Sequence, residues 1–303
     1  MPAFTNVRFK QVDVFSSTPF KGNPLAVVFD ADGLTSVQMQ AIANWTNLSE
    51  TAFLSKPTDP QADYRVRIFT TVAELPFAGH PTLGAAHALL ESGYQPKQAG
   101  KLVQQCGAGL VDLALQDNGD WAFSAPRADV TALPPTEYDA LALALNSDQL
   151  DLSAMPCAVD NGASWLVVRM KSAQACLTLT PESLELARIT ARVNAHGIAL
   201  YGPHEADGPA TFEMRCLLTG THAGPTGLLE DPVTGSANAA LAGLLAALGK
   251  APGTQYTVRQ GTALGRAGNV TVRYEKNSPV IWVSGPAVTI VDGTFKCPVA
   301  KSL

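Results

Sequence analysis

The sequence predicts an α+β protein built as two pseudo-symmetric copies of one unit, each a mostly antiparallel sheet wrapped around a central helix. Three observations predict it. Residues 74–80 read Glu-Leu-Pro-Phe-Ala-Gly-His and residues 230–236 read Glu-Asp-Pro-Val-Thr-Gly-Ser, so an ExPxxG followed by a polar residue occurs in each half. Both run straight into an Ala- and Leu-rich helical stretch in which Ala86 matches Ala242, Leu89 matches Leu245, and the closing Gly93 matches Gly249. Upstream of each lies a strand-like segment carrying an arginine, Arg67-Ile-Phe-Thr and Arg215-Cys-Leu-Leu; downstream, 102–115 and 256–274 read as strands about a glycine-bearing kink. A repeat of this length is a duplicated domain, not a solenoid.

Taken in order, Val7 to Phe15 alternates polar and apolar residues, Thr18, Pro19 and Gly22-Asn23-Pro24 break the run, and Leu25 to Phe29 resumes it. Thr35 is placed to cap a helix over Ser36 to Trp45, with Val37, Met39, Ile42, Ala43 and Trp45 as its apolar face. Asn47-Leu48-Ser49-Glu50 turns into a short strand, Thr51 to Leu54, and Tyr64 to Phe69 alternates again. The helix of the first copy is expected at about Pro81 to Leu90. The polar, proline-bearing stretch 117–151, with one helical segment near Tyr138 to Leu145, reads as the linker. Val280 to Val291, interrupted by Gly285-Pro286, reads as starting in the second copy and returning to the first. The expected domains are thus residues 1–120 with about 286–303, and residues 121–285.

The 303 residues, 46% of them hydrophobic and 16% charged, suffice for one large core or two ordinary ones. A net charge of -5, with no basic cluster, argues against a nucleic-acid partner. No apolar run reaches membrane-spanning length, and the N-terminus lacks the pattern of a signal peptide. Five scattered cysteines without a CxxC lead us to expect a cytoplasmic protein with reduced thiols. The histidines form no HxxxH or Cys/His ligand pattern, and there is no GxxxxGK[ST], so neither a metal nor a nucleotide cofactor is expected.

Each ExPxxG loop ends at a helix start, where unpaired backbone N–H groups and the positive dipole end favour an anion. Gly79 and Gly235 are therefore candidates to bind a carboxylate through the backbone, in a crevice expected between the two halves. The copies differ where a site needs unlike groups: Leu75 corresponds to Asp231, and His80 to Ser236. A carboxylate, an imidazole and a hydroxyl thus become candidates, although helix capping would account for Asp231 and Ser236 singly. Glu50 enters an apolar strand, where burial would suit a carboxyl to acid/base work, but from composition alone such a glutamate is more often a solvated turn residue. His87 reads as a packed histidine.

The stretches VDVFSSTPFKGNPLAVV, NLSETAFL, RIFTTVAELPFAGHPTLGAAHALL, EDPVTGSANAALAGLL, QGTALGR and VSGPAVTIVDGTF, in this order, resemble the PhzF family of phenazine-biosynthesis-like isomerases, which has the diaminopimelate epimerase-like fold. The resemblance implies two barrel-like domains with the active site between them, and a hydrogen shift carried out without metal or organic cofactor. Glu50 would be the acid/base glutamate, His80, Asp231 and Ser236 would contact substrate, with His80 and Asp231 assisting catalysis, and Gly79 and Gly235 would lend N–H groups. The related epimerases carry a cysteine at each helix start; none of the five here falls in 74–80 or 230–236, so a two-thiol racemisation is not expected. The expected function is an acid/base isomerisation of a small carboxylate-bearing metabolite, with a homodimer as the expected assembly. The alternatives are a non-catalytic small-molecule binding protein on the same fold and, less favoured, a hydrolase using Ser236 with histidine and aspartate, although Ser236 lacks a GxSxG elbow.

Overall fold

The computed structural model describes residues 4–298. The chain divides into two compact units, one running up to Ser124 and resuming at Ser284, the other spanning Ala125–Val283. In chain order the first carries β1 (Phe4–Val14), β2 (Asn23–Val28), α1 (Ser36–Thr46), β3 (Glu50–Ser55), β4 (Tyr64–Phe69), β5 (Glu74–Leu75), α2 (Gly79–Glu91), β6 (Lys101–Cys106), β7 (Gly109–Leu115) and β8 (Trp121–Ser124). The second begins with β9 (Asp129–Ala132), α3 (Tyr138–Leu145), β10 (Cys157–Asp160), β11 (Ser164–Arg169), α4 (Ala173–Leu177), α5 (Ser183–Arg192) and β12 (Gly197–Pro203). It continues through β13 (Phe212–Thr219), β14 (Leu228–Asp231), α6 (Gly235–Ala247), β15 (Gln255–Gln260), β16 (Gly268–Tyr274) and β17 (Ile281–Ser284). Finally β18 (Ala287–Pro298) pairs antiparallel with β1.

Strand pairing makes the duplication explicit. In the first unit the order is β18-β1-β2-β3-β4-β6-β7-β8, parallel at β2/β3 and β4/β6 and antiparallel elsewhere, with β5 folded back on β4. In the second it is β9-β10-β11-β12-β13-β15-β16, parallel at β11/β12 and β13/β15, with β14 folded back on β13. Laying β1–β7 on β10–β16 reproduces every pairing, and the registers then equate single residues. Ile68 opposes Leu75 as Cys216 opposes Asp231, and Ala52 opposes Ile68 as Ala199 opposes Cys216. Glu50 therefore falls on the position of Gly197.

The central helix α6 is enclosed because it has no polar stripe. From Gly235 to Leu245 of α6 only Ser236 keeps partial exposure, as expected of a helix apolar on all sides. α2 lies against β1, β2, β3, β8 and β18. Gly84 permits that approach, since a Cβ there would meet Leu25 Cδ2 at 2.5 Å and Val14 Cγ2 at 2.8 Å. Both helices begin at Gly79 and Gly235, two residues earlier than Pro81 in the first case.

Three expectations need correction. Thr35 caps α1 through a full capping box with Gln38, but of the assigned apolar face only Met39 and Ala43 are buried, with Ile42 partly so. Val37 and Trp45 are 79% and 82% exposed. The helix covers a narrow patch of sheet around Val28, Phe53 and Phe69, so a single i, i+4 stripe is all it buries. Asn23 and Pro24, read as part of a break, open β2; proline is tolerated at a strand start. The stretch read as a linker holds β8, β9 and α3, whose Leu141 and Leu145 are fully buried with Leu133, Leu186 and Ile189. Four-residue strands beside prolines show too little period to be read from sequence.

Candidate functional site

In the first unit, β3 alternates its faces. Thr51 and Phe53 point to the α1 side, where Thr51 Oγ1 lies 3.1 Å from Thr46 Oγ1, which turns Glu50, Ala52 and Leu54 toward α2. There Glu50 Oε2 stands 3.4 Å from His80 Nδ1, with the imidazole side chain 5% and the carboxylate 16% exposed. That separation exceeds an ordinary hydrogen bond. Burial pushes the His80 pKa down to about 3, so the ring is neutral and the contact is one of carboxylate with imidazole dipole, not an ion pair. His80 Nε2, also buried, has no hydrogen-bond partner among the described residues.

The α2 start adds backbone donors. Thr82 N–H closes the first turn on Ala78 O at 3.2 Å and Pro81 has no N–H, which leaves those of Gly79 and His80 without intrahelical acceptors. Neither Gly79 nor Gly235 takes a left-handed φ. What glycine provides at both places is the missing side chain at a helix start.

In the second unit Asp231 closes β14, and the turn after it is locked by side chains. Thr234 Oγ1 donates to Asp231 Oδ2 at 2.7 Å, Gln260 Nε2 donates to Thr234 Oγ1 at 2.8 Å and to Asp231 O at 3.1 Å, and Thr234 N–H donates to Gln260 Oε1 at 3.0 Å. Ser236, in the first turn of α6, accepts the indole N–H of Trp165 on Oγ at 3.0 Å, and its carbonyl accepts from Asn161 Nδ2 at 2.9 Å. An indole nitrogen only donates, so this contact cannot take a proton from the hydroxyl as the base of a hydrolase must.

The structure thus brings Glu50 and His80 together in one unit and sets Asp231, Gly235 and Ser236 along one turn of the other. Thr234 and Gln260 lie within the quoted EDPVTGS and QGTALGR stretches but carry no expected role, and Trp165 lies in no motif; the hydrogen bonds of Gln260 and Trp165 to this turn join positions far apart in sequence. The arginines at matching places in the two halves form matched structural pairs: Arg67 Nη2 binds Glu74 Oε2 at 2.6 Å, and Arg215 Nη2 binds Glu230 Oε2 at 2.8 Å. Each fastens the two-stranded hairpin that delivers the chain to its helix. Cys216 is buried and its thiol is pushed well above the usual range by burial, as suits packing more than reaction. His87 is partly buried, with Nε2 3.1 Å from Thr289 Oγ1. Among the described residues no group of three or more His, Cys, Asp or Glu side chains is arranged to hold a metal, and no helix is long and apolar enough to cross a membrane.

Comparison with known proteins places this architecture. The family described as phenazine biosynthesis-like protein (PhzC-PhzF) matches residues 12–293. Antisense-enhancing sequence 1 of Schizosaccharomyces pombe is 39% identical, the match covering 95% of this chain and 98% of that protein. Trans-2,3-dihydro-3-hydroxyanthranilate isomerase of Pseudomonas chlororaphis is 34% identical over 94% of this chain and 97% of its own. Among solved structures, a PhzF-family phenazine biosynthesis protein of Bacillus anthracis superposes with a TM-score of 0.82 at 25% identity, covering 96% of this chain and 99% of the other. A hydroxyproline epimerase from Agrobacterium vitis shares the fold, with a TM-score of 0.63 at 14% identity over 98% of this chain and 93% of that one. The chain belongs to the phenazine biosynthesis-like (PhzC-PhzF) family and has the diaminopimelate epimerase-like fold.

Proposed function

We propose that the protein is an isomerase that moves a proton between carbons of a small carboxylate-bearing metabolite, with Glu50 as the acid/base group and no metal or organic cofactor. The observation that carries the reading is the buried pair of Glu50 and a neutral His80 at the α2 start. A base that takes a proton and returns it must exchange between carboxylate and carboxyl, and a buried glutamate beside a neutral imidazole can do both without creating a buried cation. With Glu50 ionised, a proton on His80 Nδ1 faces the carboxylate and Nε2 is an acceptor; with Glu50 protonated, Nδ1 can accept in turn. Imidazole thereby follows the charge of Glu50, and Nε2 is the atom left to orient a substrate hydroxyl or amine. Asp231, braced by Thr234, and the N–H groups of Gly79 and Gly235 with the Ser236 hydroxyl serve to hold substrate.

The relative named trans-2,3-dihydro-3-hydroxyanthranilate isomerase supplies the compound to try first. Incubated with the protein in D2O, it should be converted to an isomer carrying deuterium on the carbon that gains hydrogen. Tight binding with no carbon-bound exchange would instead favour a binding protein, and covalent capture of Ser236 by an active-site serine probe would favour a hydrolase.

A further inference from the structure

The second unit contains a cavity of about 620 Å³ that the chemistry above does not use. Leu244, Leu245 and Leu248, at the C-terminal end of α6, form one wall, and Tyr201 and Phe212 contribute another. Along α6 the wall begins at Leu244, about 12 Å from Ser236 at the other end of the helix.

The first unit shows why the space exists. Backbone bonds equate the two barrel ends: Tyr94 N–H donates to Leu89 O as Lys250 N–H donates to Leu245 O, and Asp63 N–H donates to Val103 O as Thr211 N–H donates to Thr257 O. Tyr94 thus corresponds to Lys250, and Asp63 to Thr211. In the first unit the Tyr94 hydroxyl donates to Asp63 Oδ1 at 3.1 Å, and the same carboxylate accepts the N–H groups of Lys97 at 3.0 Å and Val103 at 2.7 Å. This sews the loop after α2 across the barrel end. A lysine and a threonine at the equivalent places cannot make that strap, and the second unit keeps an opening.

The lining has a cationic side and an apolar side. Arg169 Nε is 3.2 Å from Asp151 Oδ2 but is not aligned to it for a hydrogen bond, and it has no other hydrogen-bond partner among the described residues. Ser153 most of all, with Arg169 and Lys250, holds the Asp151 carboxyl below its ordinary range, and both cations line the cavity. Met155 and Leu248 also line the cavity while 43% and 39% exposed. Glu205 at the lip opposes a second negative charge on anything that enters.

We propose that this cavity is a binding site for a small organic monoanion, a carboxylate on a ring or short apolar body, received by Arg169 and Lys250 and packed against Leu248 and Met155. The size suits such a ligand. The test titrates the full chain with 4-(trifluoromethyl)benzoate, followed by fluorine NMR. Saturable binding is expected, weakened about tenfold or more by Arg169→Leu, by the exposed-site change Lys250→Gln and by Leu248→Trp, which fills the rim. The uncharged 4-(trifluoromethyl)benzamide should bind about tenfold more weakly than the acid. Binding should survive in His80→Asn and Ser236→Ala, which separates this site from the one proposed for catalysis. The proposal is overturned by absence of saturable binding, by equal affinity for acid and amide, or by binding that withstands Lys250→Gln and Leu248→Trp but is lost in His80→Asn or Ser236→Ala.

Discussion

At the start of α2 an imidazole stands 3.4 Å from the Glu50 carboxylate, whereas at the start of α6 the corresponding hydroxyl accepts the Trp165 indole at 3.0 Å. The residue corresponding to Glu50 in that second unit is Gly197, and a Cβ there would lie 2.2 Å from Leu217 O. The second unit therefore has no room for a side chain at that strand position, and its carboxylate, Asp231, sits instead at the end of β14 against Thr234. The difference teaches that the two units share the strand order, the arginine–glutamate clasp and the helix start, and that only the first sets a glutamate beside an imidazole there. The same rule holds at the opposite barrel ends, where Tyr94 and Asp63 close what Lys250 and Thr211 leave open.

Several changes break or sharpen this contrast. The largest effect is expected from Glu50→Gln, which keeps the shape and removes the exchangeable proton: turnover should fall by about a hundredfold or more with ligand affinity nearly intact, measured as kcat against a directly titrated Kd. Next comes the clasp. Arg215 and Glu230 have side chains 9% and 10% exposed, and Arg215 also donates to Cys176 O at 3.0 Å, so Arg215→Ala leaves a buried charge and should cost about 3 kcal/mol in urea unfolding. Its counterpart pairs side chains 22% and 42% exposed, so Arg67→Ala should cost less than about 1 kcal/mol. Equal costs would remove the distinction between the two clasps. Gly197→Ala should destabilise by about 2 kcal/mol, because the carbonyl it meets is backbone and cannot rotate away.

A further effect is a slope with pH. His80 titrates at about 3 when folded, below its unfolded value near 6.5, so the unfolded chain binds more protons between those pH values. Stability is fully present above about pH 6.5 and falls as the pH drops toward 3, by at most about 1.4 kcal/mol per pH unit from this residue. His80→Asn should flatten that fall in urea unfolding followed from pH 7 downward, and Ser236→Ala should leave it unchanged.

Much of this was legible in the sequence, for physical reasons that differ by residue. The ExPxxG loops gave the two helix starts because proline and glycine punctuate the chain locally, and Gly93 and Gly249 gave the ends, taking φ of 91° and 63° as helix-closing glycines do. Comparing the loops also pairs Leu75 with Asp231, as the strand registers do, and His80 with Ser236, each second in its helix. Glu50 was different. Its approach to His80 depends on β3 presenting one face to α2, which requires the sheet to be assembled. Trp165 is silent in the sequence for the same reason, and Trp45 reads as part of a buried face because periodicity locates a stripe without saying how wide a surface covers it. Arg67 and Arg215 were noticed, but only the hairpin register shows that each meets a glutamate.

The central claim is that proton transfer belongs to the first unit's pair while the α6 junction only holds ligand. Its most direct test follows deuterium wash-in from D2O into bound trans-2,3-dihydro-3-hydroxyanthranilate, at saturating concentration, in Glu50→Gln and Ser236→Ala side by side. Glu50→Gln should show wash-in slowed by about a hundredfold or more, and Ser236→Ala should reach nearly the native rate once saturated. Near-native exchange in Glu50→Gln, or exchange lost in Ser236→Ala at saturation, would contradict it.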